Sequence, residues 1–98
     1  MSEKITWKNG STYERDAFLR KTFKAGNVLY PSTSVDAALK LIPPDWELEL
    51  TKFPGFPADP WEAIVSVPTK DTTYRAFGKS AAEVICRALL TAKGYTVE

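Results

Sequence analysis

The sequence predicts an α+β protein: a compact sandwich with a helix–strand–strand–strand–helix core, an antiparallel sheet and an N-terminal helical extension. Three observations support this fold class. The 98 residues correspond to one domain. A hydrophobic content of 44%, with three Trp, four Tyr and five Phe, is enough for a core without metals or disulfides. Between two segments of helical periodicity, the chain alternates apolar and polar residues as strands do.

The chain is expected to form one folded unit made of two parts. Residues 1–28 are predicted to form the N-terminal extension, and residues 29–98 the sandwich. In the extension, residues 4–8 are expected to be extended and to end at the turn signal Asn9-Gly10.

A helix is predicted next, from about Thr12 to Ala25. Ser11 and Glu14 have capping-box spacing before it, and Gly26-Asn27 suits its C-terminal end. Its apolar side is expected to contain Tyr13, Ala17, Phe18, Leu19 and Phe23.

A second helix is predicted from about Ser34 to Leu41, after a connector that Pro31 keeps extended. Thr33 and Asp36 have capping-box spacing, and Ser34 is a competing cap. Two consecutive prolines end the helix. The spacing predicts a core stripe of Val35, Ala38, Leu39 and Ile42.

Three strands are expected to follow as an antiparallel meander, because the links between them are short. They are predicted in residues 45–52, 61–68 and 72–77, with a turn at Lys70-Asp71. The predicted core-facing residues of the first two are Trp46, Leu48, Leu50, Trp61, Ala63, Val65 and Val67. Glu47, Glu49 and Glu62 are expected on a solvated opposite face.

The last helix is the best-defined element of the sequence. It is predicted from Ala81 to about Lys93, between the capping box Ser80–Glu83 and the closing residue Gly94. Its apolar stripe comprises Ala81, Ile85, Ala88, Leu89 and Ala92. Cys86 lies beside this stripe, which predicts a buried, inert thiol.

The composition limits the chemistry that the chain can perform. There is no histidine, which removes the commonest general base and metal ligand. One cysteine without histidine leaves no plausible zinc site and no Cys–His or Ser–His nucleophile. We therefore predict a protein that is not an enzyme and needs no cofactor or metal. The alternative is an enzyme that uses a carboxylate pair including Glu47.

Charge and targeting signals bear on partners and location. Residues 1–30 carry six basic and three acidic side chains, a balance of +3, and residues 31–60 carry two basic and five acidic, a balance of −3. The net charge of +1 is low for a general duplex-binding protein. With one cysteine, no long apolar run and no signal-peptide core, a cytoplasmic location is expected.

Two helix starts are candidate sites for an anion such as a phosphate. The turn containing Tyr30, Ser32, Thr33 and Ser34 offers hydroxyls and free amides before the second helix. Gly78-Lys79-Ser80 is similar to the end of a P-loop, but the glycine required five places earlier is replaced by Thr73. Nucleotide hydrolysis is therefore not expected, although Arg75, Lys79 and Ser80 could hold one phosphate. The alternative for both is a simple helix cap.

The extension also contains candidate partner-binding residues. Arg20, Lys21 and Lys24 are predicted to share one helix face. Trp7 is the best candidate for an exposed aromatic side chain, which could stack on a base or anchor a protein. In the alternative, this arm covers an edge of the sheet.

Nucleic-acid binding is an alternative function. The order helix–three strands–helix is also that of double-stranded-RNA-binding domains. Those domains place several lysines at the start of the last helix, where this chain has Ala81 and Ala82. Such binding would use Arg20, Lys21, Lys24 and Lys79.

Two segments resemble the phage ABA sandwich family. Residues 30–46, YPSTSVDAALKLIPPDW, are similar to its Tyr and Ser/Thr-rich turn, its DAA-L-L-P helix and the Trp that opens the first strand. Residues 80–90, SAAEVICRALL, are similar to its closing helix, which contains an Ala-Leu/Ile-Cys-x-Ala-Ala-Leu run. The resemblance covers residues 29–93, and it implies the fold and a phage origin but no catalytic residues.

The resemblance and the missing catalytic groups together predict a phage-encoded binding protein with a counter-defence role. It would act in the host cytoplasm by stoichiometric capture of a host defence protein or of a cyclic or other nucleotide messenger. In the messenger version, Lys79, Arg75 and helix-start amides would hold the phosphates. Small size and an apolar extension favour a homo-oligomer.

Overall fold

The structure, a computed structural model, describes residues 4–5, 12–24, 30–31, 33–55 and 58–97. The elements in chain order are β1 (Lys4–Ile5), α1 (Thr12–Thr22), α2 (Val35–Leu39), β2 (Glu47–Lys52), β3 (Trp61–Val67), β4 (Thr72–Gly78), α3 (Ala81–Ala92) and β5 (Thr96–Val97). A single 3₁₀ turn at Pro68–Lys70 joins β3 to β4. The fold is α+β, as predicted, and the order helix–three strands–helix is confirmed.

The main sheet is an antiparallel meander with strand order β2-β3-β4, which confirms the predicted topology. Leu50, Ala63 and Ala76 lie in one cross-strand row of this sheet. Because alternate side chains of a strand share a face, Ala63 and Val65 point to the same side, and both are fully buried. α3 packs against this inner face.

α3 follows the prediction closely. The Ser80 hydroxyl accepts a hydrogen bond from the Glu83 backbone N–H at 3.2 Å, which caps the first turn. At the other end Gly94 has φ +101°, a conformation that glycine adopts without steric cost. The predicted apolar stripe is buried, and Ile85 and Leu89 have no exposed surface.

α2 buries a different face from the one predicted. Ala37, Ala38 and Leu41 are buried, whereas Val35 is 38% exposed and Leu39 is 43% exposed. The predicted core stripe is therefore wrong at Val35 and Leu39. The physical reason is that α2 packs against α3, and alanine side chains let two helices approach closely.

The structure also shows which residue caps α2 and where the helix ends. The Ser34 hydroxyl accepts from the Ala37 backbone N–H at 3.3 Å, so Ser34 is the cap. The regular helix is shorter than predicted, because it covers Val35–Leu39 and continues as turns to Ile42.

α1 belongs to the same core as the rest of the domain. Leu19 is fully buried, and the Phe18 ring makes an edge contact with Tyr95 at a centroid distance of 5.2 Å. Asp16 is also buried, which the sequence pattern did not indicate. The helix ends at Thr22 and not near Ala25, and Lys24 takes a left-handed φ of +53°. Ser11, Gly26 and Asn27 lie outside the described residues.

A second, two-stranded sheet joins the chain ends. β1 pairs in parallel with β5, with Lys4 opposite Thr96 and Ile5 opposite Val97. β5 is not predicted from sequence, because two residues cannot show an alternation. β1 itself pairs with β5 and not with a strand of the main sheet, and for the rest of the arm the alternative of covering a sheet edge stays a prediction. Trp7 lies outside the described residues.

Aromatic side chains near the end of α1 and at the start of β2 contact each other and a lysine that follows α3. Trp46 is half-buried and meets the Phe23 ring edge-on, with 6.5 Å between centroids. The Lys93 ammonium lies 5.5 Å from the Phe23 ring centre and 5.9 Å from that of Trp46. α1, β2 and the end of α3 are thus linked by an aromatic pair and one cation. In the part of the chain that is described, no helix is both long and apolar enough to span a bilayer.

Candidate functional site

At the start of α3, side chains of the protein itself cap the helix and supply negative charge. Ser80 caps it, and Glu83 Oε1 lies 3.9 Å from Arg87 Nη1 in the first turns. Lys79 is exposed beside this end. The Glu83 carboxylate already occupies the region where the helix favours negative charge, so the attraction for an added anion is reduced.

Close packing explains why a glycine stands at position 78 in the P-loop-like triplet. A Cβ atom at this position would lie 2.9 Å from Val84 Cγ1, closer than real Cβ atoms come to other atoms. Glycine is therefore required for the close approach of β4 to α3, as at other tight backbone contacts. The triplet Gly78-Lys79-Ser80 marks a strand-to-helix junction in this fold.

Arg75 is not beside Lys79 and Ser80. Ala76 and Gly78 face α3, so the alternation along β4 directs Arg75 to the opposite face of the sheet. There Arg75 Nε lies 2.8 Å from Glu62 Oε2. The structure thus separates the predicted phosphate-binding arginine from the helix start by the thickness of the sheet.

The turn before α2 is held by the Tyr30 carbonyl. It accepts from the backbone N–H groups of Thr33 at 3.1 Å and Ser34 at 2.9 Å, and the Thr33 hydroxyl lies 3.4 Å away. Tyr30 has a left-handed φ of +58°. The Thr33 and Ser34 hydroxyls predicted for anion binding therefore hold the turn and cap α2. Ser32 lies outside the described residues.

Cys86 anchors this turn to α3. Its thiol donates a hydrogen bond to the buried Pro31 carbonyl, with an S–O distance of 3.1 Å. Burial and the nearby carboxylates of Asp16 and Glu83 raise the pKa of the Cys86 thiol well above its usual value. The thiol is therefore neutral and buried, as predicted.

Three exposed apolar side chains lie together along the chain at α2. Val35 and Leu39 are one helical turn apart on one side of α2, and Tyr30, which is 62% exposed, stands in the turn that caps the helix. We call Tyr30, Val35 and Leu39 the α2 surface. The sequence prediction assigned Val35 and Leu39 to the core and missed this surface, because the alternative stripe of Ala37, Ala38 and Leu41 has equally good helical spacing.

The face of the main sheet that points away from α3 forms a second surface, which we call the outer face. Its residues are Glu47, Glu49 and Thr51 on β2, Glu62, Ile64 and Ser66 on β3, and Thr73, Arg75 and Phe77 on β4. Glu47 and Glu49 are exposed, as predicted, and Phe77 is 48% exposed.

The expectation of a solvated Glu62 is wrong. Glu62 is only 8% exposed, because the Arg75 guanidinium lies against its carboxylate. Its register partner on β2 is Thr51, so Glu62 is paired with a cation and not with Glu47 or Glu49. A cross-strand ion pair is a structural role that alternation alone cannot reveal.

The basic residues of α1 do not form the predicted continuous face. Arg20 is half-buried and Lys21 is exposed, both within the last turn of α1. Lys24 is exposed but follows the end of the helix with a left-handed backbone, so helical spacing does not extend to it. The prediction that all three share one helix face is wrong for Lys24.

A cavity of about 200 Å³ is lined by Ser66, Val67, Pro68, Asp71, Thr72 and Thr73. This is smaller than the roughly 300–1,000 Å³ of common ligand pockets. None of its lining residues belongs to the predicted anion site. Within the described ranges, no group of three or more His, Cys, Asp or Glu could hold a metal ion.

Comparison with known proteins does not assign a family. The chain matches no protein-family model, no curated protein and no solved structure.

Proposed function

We propose that this protein is a phage-encoded, non-catalytic binding protein that captures a host defence protein through the α2 surface. The observation that carries the proposal is the exposure of Tyr30, Val35 and Leu39. Apolar side chains at i and i+4 on a helix are the usual anchors of helix-mediated protein recognition. A neighbouring tyrosine adds one of the residue types that are enriched at the energetic hot spots of interfaces.

The α2 surface is also held in place before any partner arrives. The Cys86–Pro31 hydrogen bond and the Ser34 cap fix the turn and the helix relative to α3. Surfaces that are ordered in the free protein lose less conformational entropy on binding. This supports a capture function with a slow dissociation rate.

The phage origin rests on the sequence resemblance of residues 29–93 to the phage ABA sandwich family, which includes α2 itself. With that origin we assign the sandwich arrangement of the family, a counter-defence role and a site of action in the cytoplasm of the infected cell. The absence of histidine from the sequence supports capture without turnover.

A protein target is favoured over a nucleotide messenger. Arg75 faces away from Lys79 and Ser80, and the cavity of about 200 Å³ lies elsewhere. A messenger would therefore meet Lys79 and a helix start that is already capped, which is a weak phosphate site.

The experiment is a plaque assay in bacterial strains that each carry one defence system. Expression of the wild-type protein should restore phage growth on at least one strain, and protection should rise with the amount of protein. Leu39→Asp should abolish protection, whereas Asp36→Asn, an exposed position on the same helix, should retain it. The purified defence protein should then bind with a fixed stoichiometry in calorimetry, and Leu39→Asp should bind at least about tenfold more weakly.

Two results would refute this function. One is full protection by Leu39→Asp together with unchanged binding. The other is protection by amounts of protein far below those of its target, since that requires turnover of a substrate.

Nucleic-acid binding is the second candidate, favoured by the order α2-β2-β3-β4-α3 and the exposed Lys79 and Lys21. A gel-shift series with duplex RNA across salt concentrations separates the two candidates. Phosphate binding should weaken steeply as salt rises and should weaken further in Lys79→Ala. Absence of a shift at low salt would exclude this candidate.

A further inference from the structure

Two half-buried aromatic rings form a corner in which an ammonium group already lies. The rings of Phe23 and Trp46 stand at 86° to each other, with 6.5 Å between their centroids. The Lys93 ammonium lies over both rings, 5.5 Å from the centre of Phe23 and 5.9 Å from that of Trp46. Both distances are within the roughly 6 Å at which a ring face attracts a cation. We call the two rings the aromatic corner.

From this geometry we infer that the aromatic corner is a binding site for a quaternary ammonium group, and that Lys93 is an internal competitor for it. The face of an aromatic ring attracts cations because its electron density is negative. Arrangements of several ring faces are the usual means by which proteins recognise choline-like and methylated ammonium groups. The corner shares no residue with the α2 surface, so this site is independent of the proposed function.

The aromatic corner is ordered without a ligand. The Phe23 N–H donates to the Leu19 carbonyl at 3.0 Å, which extends the hydrogen bonding of α1. The Trp46 N–H donates to the Pro43 carbonyl at 3.0 Å. Both rings also pack against the hydrophobic core of the domain. A site that is formed before binding loses little conformational entropy when its ligand arrives.

The Lys93 side chain is held less firmly than the two rings. Lys93 is exposed, and within the part of the chain that is described no carboxylate forms an ion pair with its ammonium. A lysine side chain loses much rotamer entropy when its end is fixed, and a primary ammonium is strongly hydrated. A quaternary ammonium has no N–H groups to hydrate, so it gives up less when it enters the corner. Such a group is therefore able to displace the lysine.

The charges beside the aromatic corner favour a cation over an anion. Asp45 and Glu47 flank Trp46 in the chain, and both are exposed. Lys24 follows Phe23 and is also exposed. Once the Lys93 ammonium moves out, two acidic side chains stand against one basic side chain next to the rings. Their field attracts a positively charged ligand.

A second lysine–tryptophan contact in the same protein lacks the second ring. The Lys52 ammonium lies 5.4 Å from the centre of the Trp61 ring. Among the described residues, Trp61 is the one ring over which this ammonium lies. A single exposed contact of this kind is weak, so we expect no ligand site there. Lys52 therefore provides a matched control for Lys93.

The experiment is a titration of the purified protein with choline chloride, followed through the indole N–H signal of Trp46 in NMR spectra. Sodium chloride keeps the ionic strength constant. The control for shape is the neutral alcohol in which a carbon atom replaces the nitrogen of choline. Choline should shift the signal to saturation with a dissociation constant in the millimolar range, because each exposed cation–π contact is weak. The neutral alcohol should shift it much less.

Three variants test the parts of the site. Lys93→Gln should lower the dissociation constant for choline about threefold or more, because the competing ammonium is gone. Lys52→Gln, the same change at the single-ring contact, should bind like the wild type. Phe23→Leu removes one ring and should raise the dissociation constant about threefold or more. Trp46→Leu identifies the Trp46 signal by its absence.

The results separate a ligand site from a purely structural contact. Equal shifts by choline and the neutral alcohol, or a dissociation constant that Lys93→Gln leaves unchanged, would overturn the inference. Should Phe23→Leu fail to fold, as judged by circular dichroism, the exposed Lys93→Gln still decides. Vesicles of phosphatidylcholine distinguish the source of the group: co-sedimentation that Lys93→Gln strengthens assigns a lipid headgroup, whereas binding of free choline alone assigns a soluble ligand.

Discussion

The Cys86 thiol donates a hydrogen bond to the Pro31 carbonyl at 3.1 Å and so joins residues 55 positions apart. Because Cys86 lies inside α3 and Pro31 follows Tyr30, this bond ties the exposed turn to the most buried helix. The geometry of the α2 surface therefore depends on a side chain that no partner could touch.

Removing this donor should destabilise the protein. Cys86→Ala leaves the Pro31 carbonyl without its partner and a small void in the core, and we expect a loss of about 1–3 kcal/mol in the free energy of unfolding. Cys86→Ser keeps a donor at the same place and should lose less. Urea unfolding followed by circular dichroism measures both. Equal stability of the wild type and Cys86→Ala would show that the bond is dispensable.

The Cys86 thiol should also make stability depend on pH in the alkaline range. Its pKa is raised by burial in the folded state, so the folded protein holds this proton more tightly than the unfolded chain does. The contribution is present below the unfolded thiol's pKa of about 8.5 and is lost as pH rises above it, by up to about 1.4 kcal/mol per pH unit.

Unfolding free energies measured between neutral and alkaline pH test this dependence. The wild type should lose more stability than Cys86→Ser, because serine does not ionise in this range. Parallel pH profiles for the two proteins would contradict the prediction.

Substitution of Leu39 and of Leu41, two leucines on different sides of α2 and the turn after it, tests how this helix packs. Leu41 is 3% exposed and Leu39 is 43% exposed. We expect Leu41→Ala to cost about 2–4 kcal/mol and Leu39→Ala to cost under about 1 kcal/mol, because only the first opens a cavity. Thermal and urea unfolding of the two variants measure the difference. The reverse order would mean that α2 packs with the face predicted from sequence.

Gly78 and Gly55 form a matched pair. A Cβ at Gly78 would lie 2.9 Å from Val84 Cγ1, whereas a Cβ at Gly55 would meet nothing within 4 Å. Gly78→Ala should therefore cost about 1–3 kcal/mol through overpacking, and Gly55→Ala should be close to neutral. Comparable unfolding midpoints for both variants would indicate that Gly78 serves something other than close packing.

Much of the secondary structure could be predicted because its signals are local. The Ser80 cap, the Gly94 helix end and the alternation in β2 and β3 each depend on residues that are a few positions apart. Such patterns reflect backbone geometry, which repeats every two residues in a strand and about every 3.6 in a helix. The sequence patterns predicted the turn around Tyr30, but they did not predict that Val35 and Leu39 are exposed next to it.

The candidate surfaces themselves depend on contacts between distant segments. Whether Val35 and Leu39 are buried is decided by which side of α2 meets α3, and two helical stripes fit the sequence equally well. The burial of Glu62 depends on Arg75 from the next strand.

The sequence by itself determined the order of the main elements, the Ser80 cap and Gly94 end of α3, and the antiparallel meander, since short links and local periodicity leave few alternatives. Only the tertiary structure decided which apolar side chains stay outside, which charges meet across the sheet, and that Lys4–Ile5 pairs with Thr96–Val97. The physical reason is that burial and pairing are properties of two surfaces in contact, and a pattern within one segment does not specify its partner.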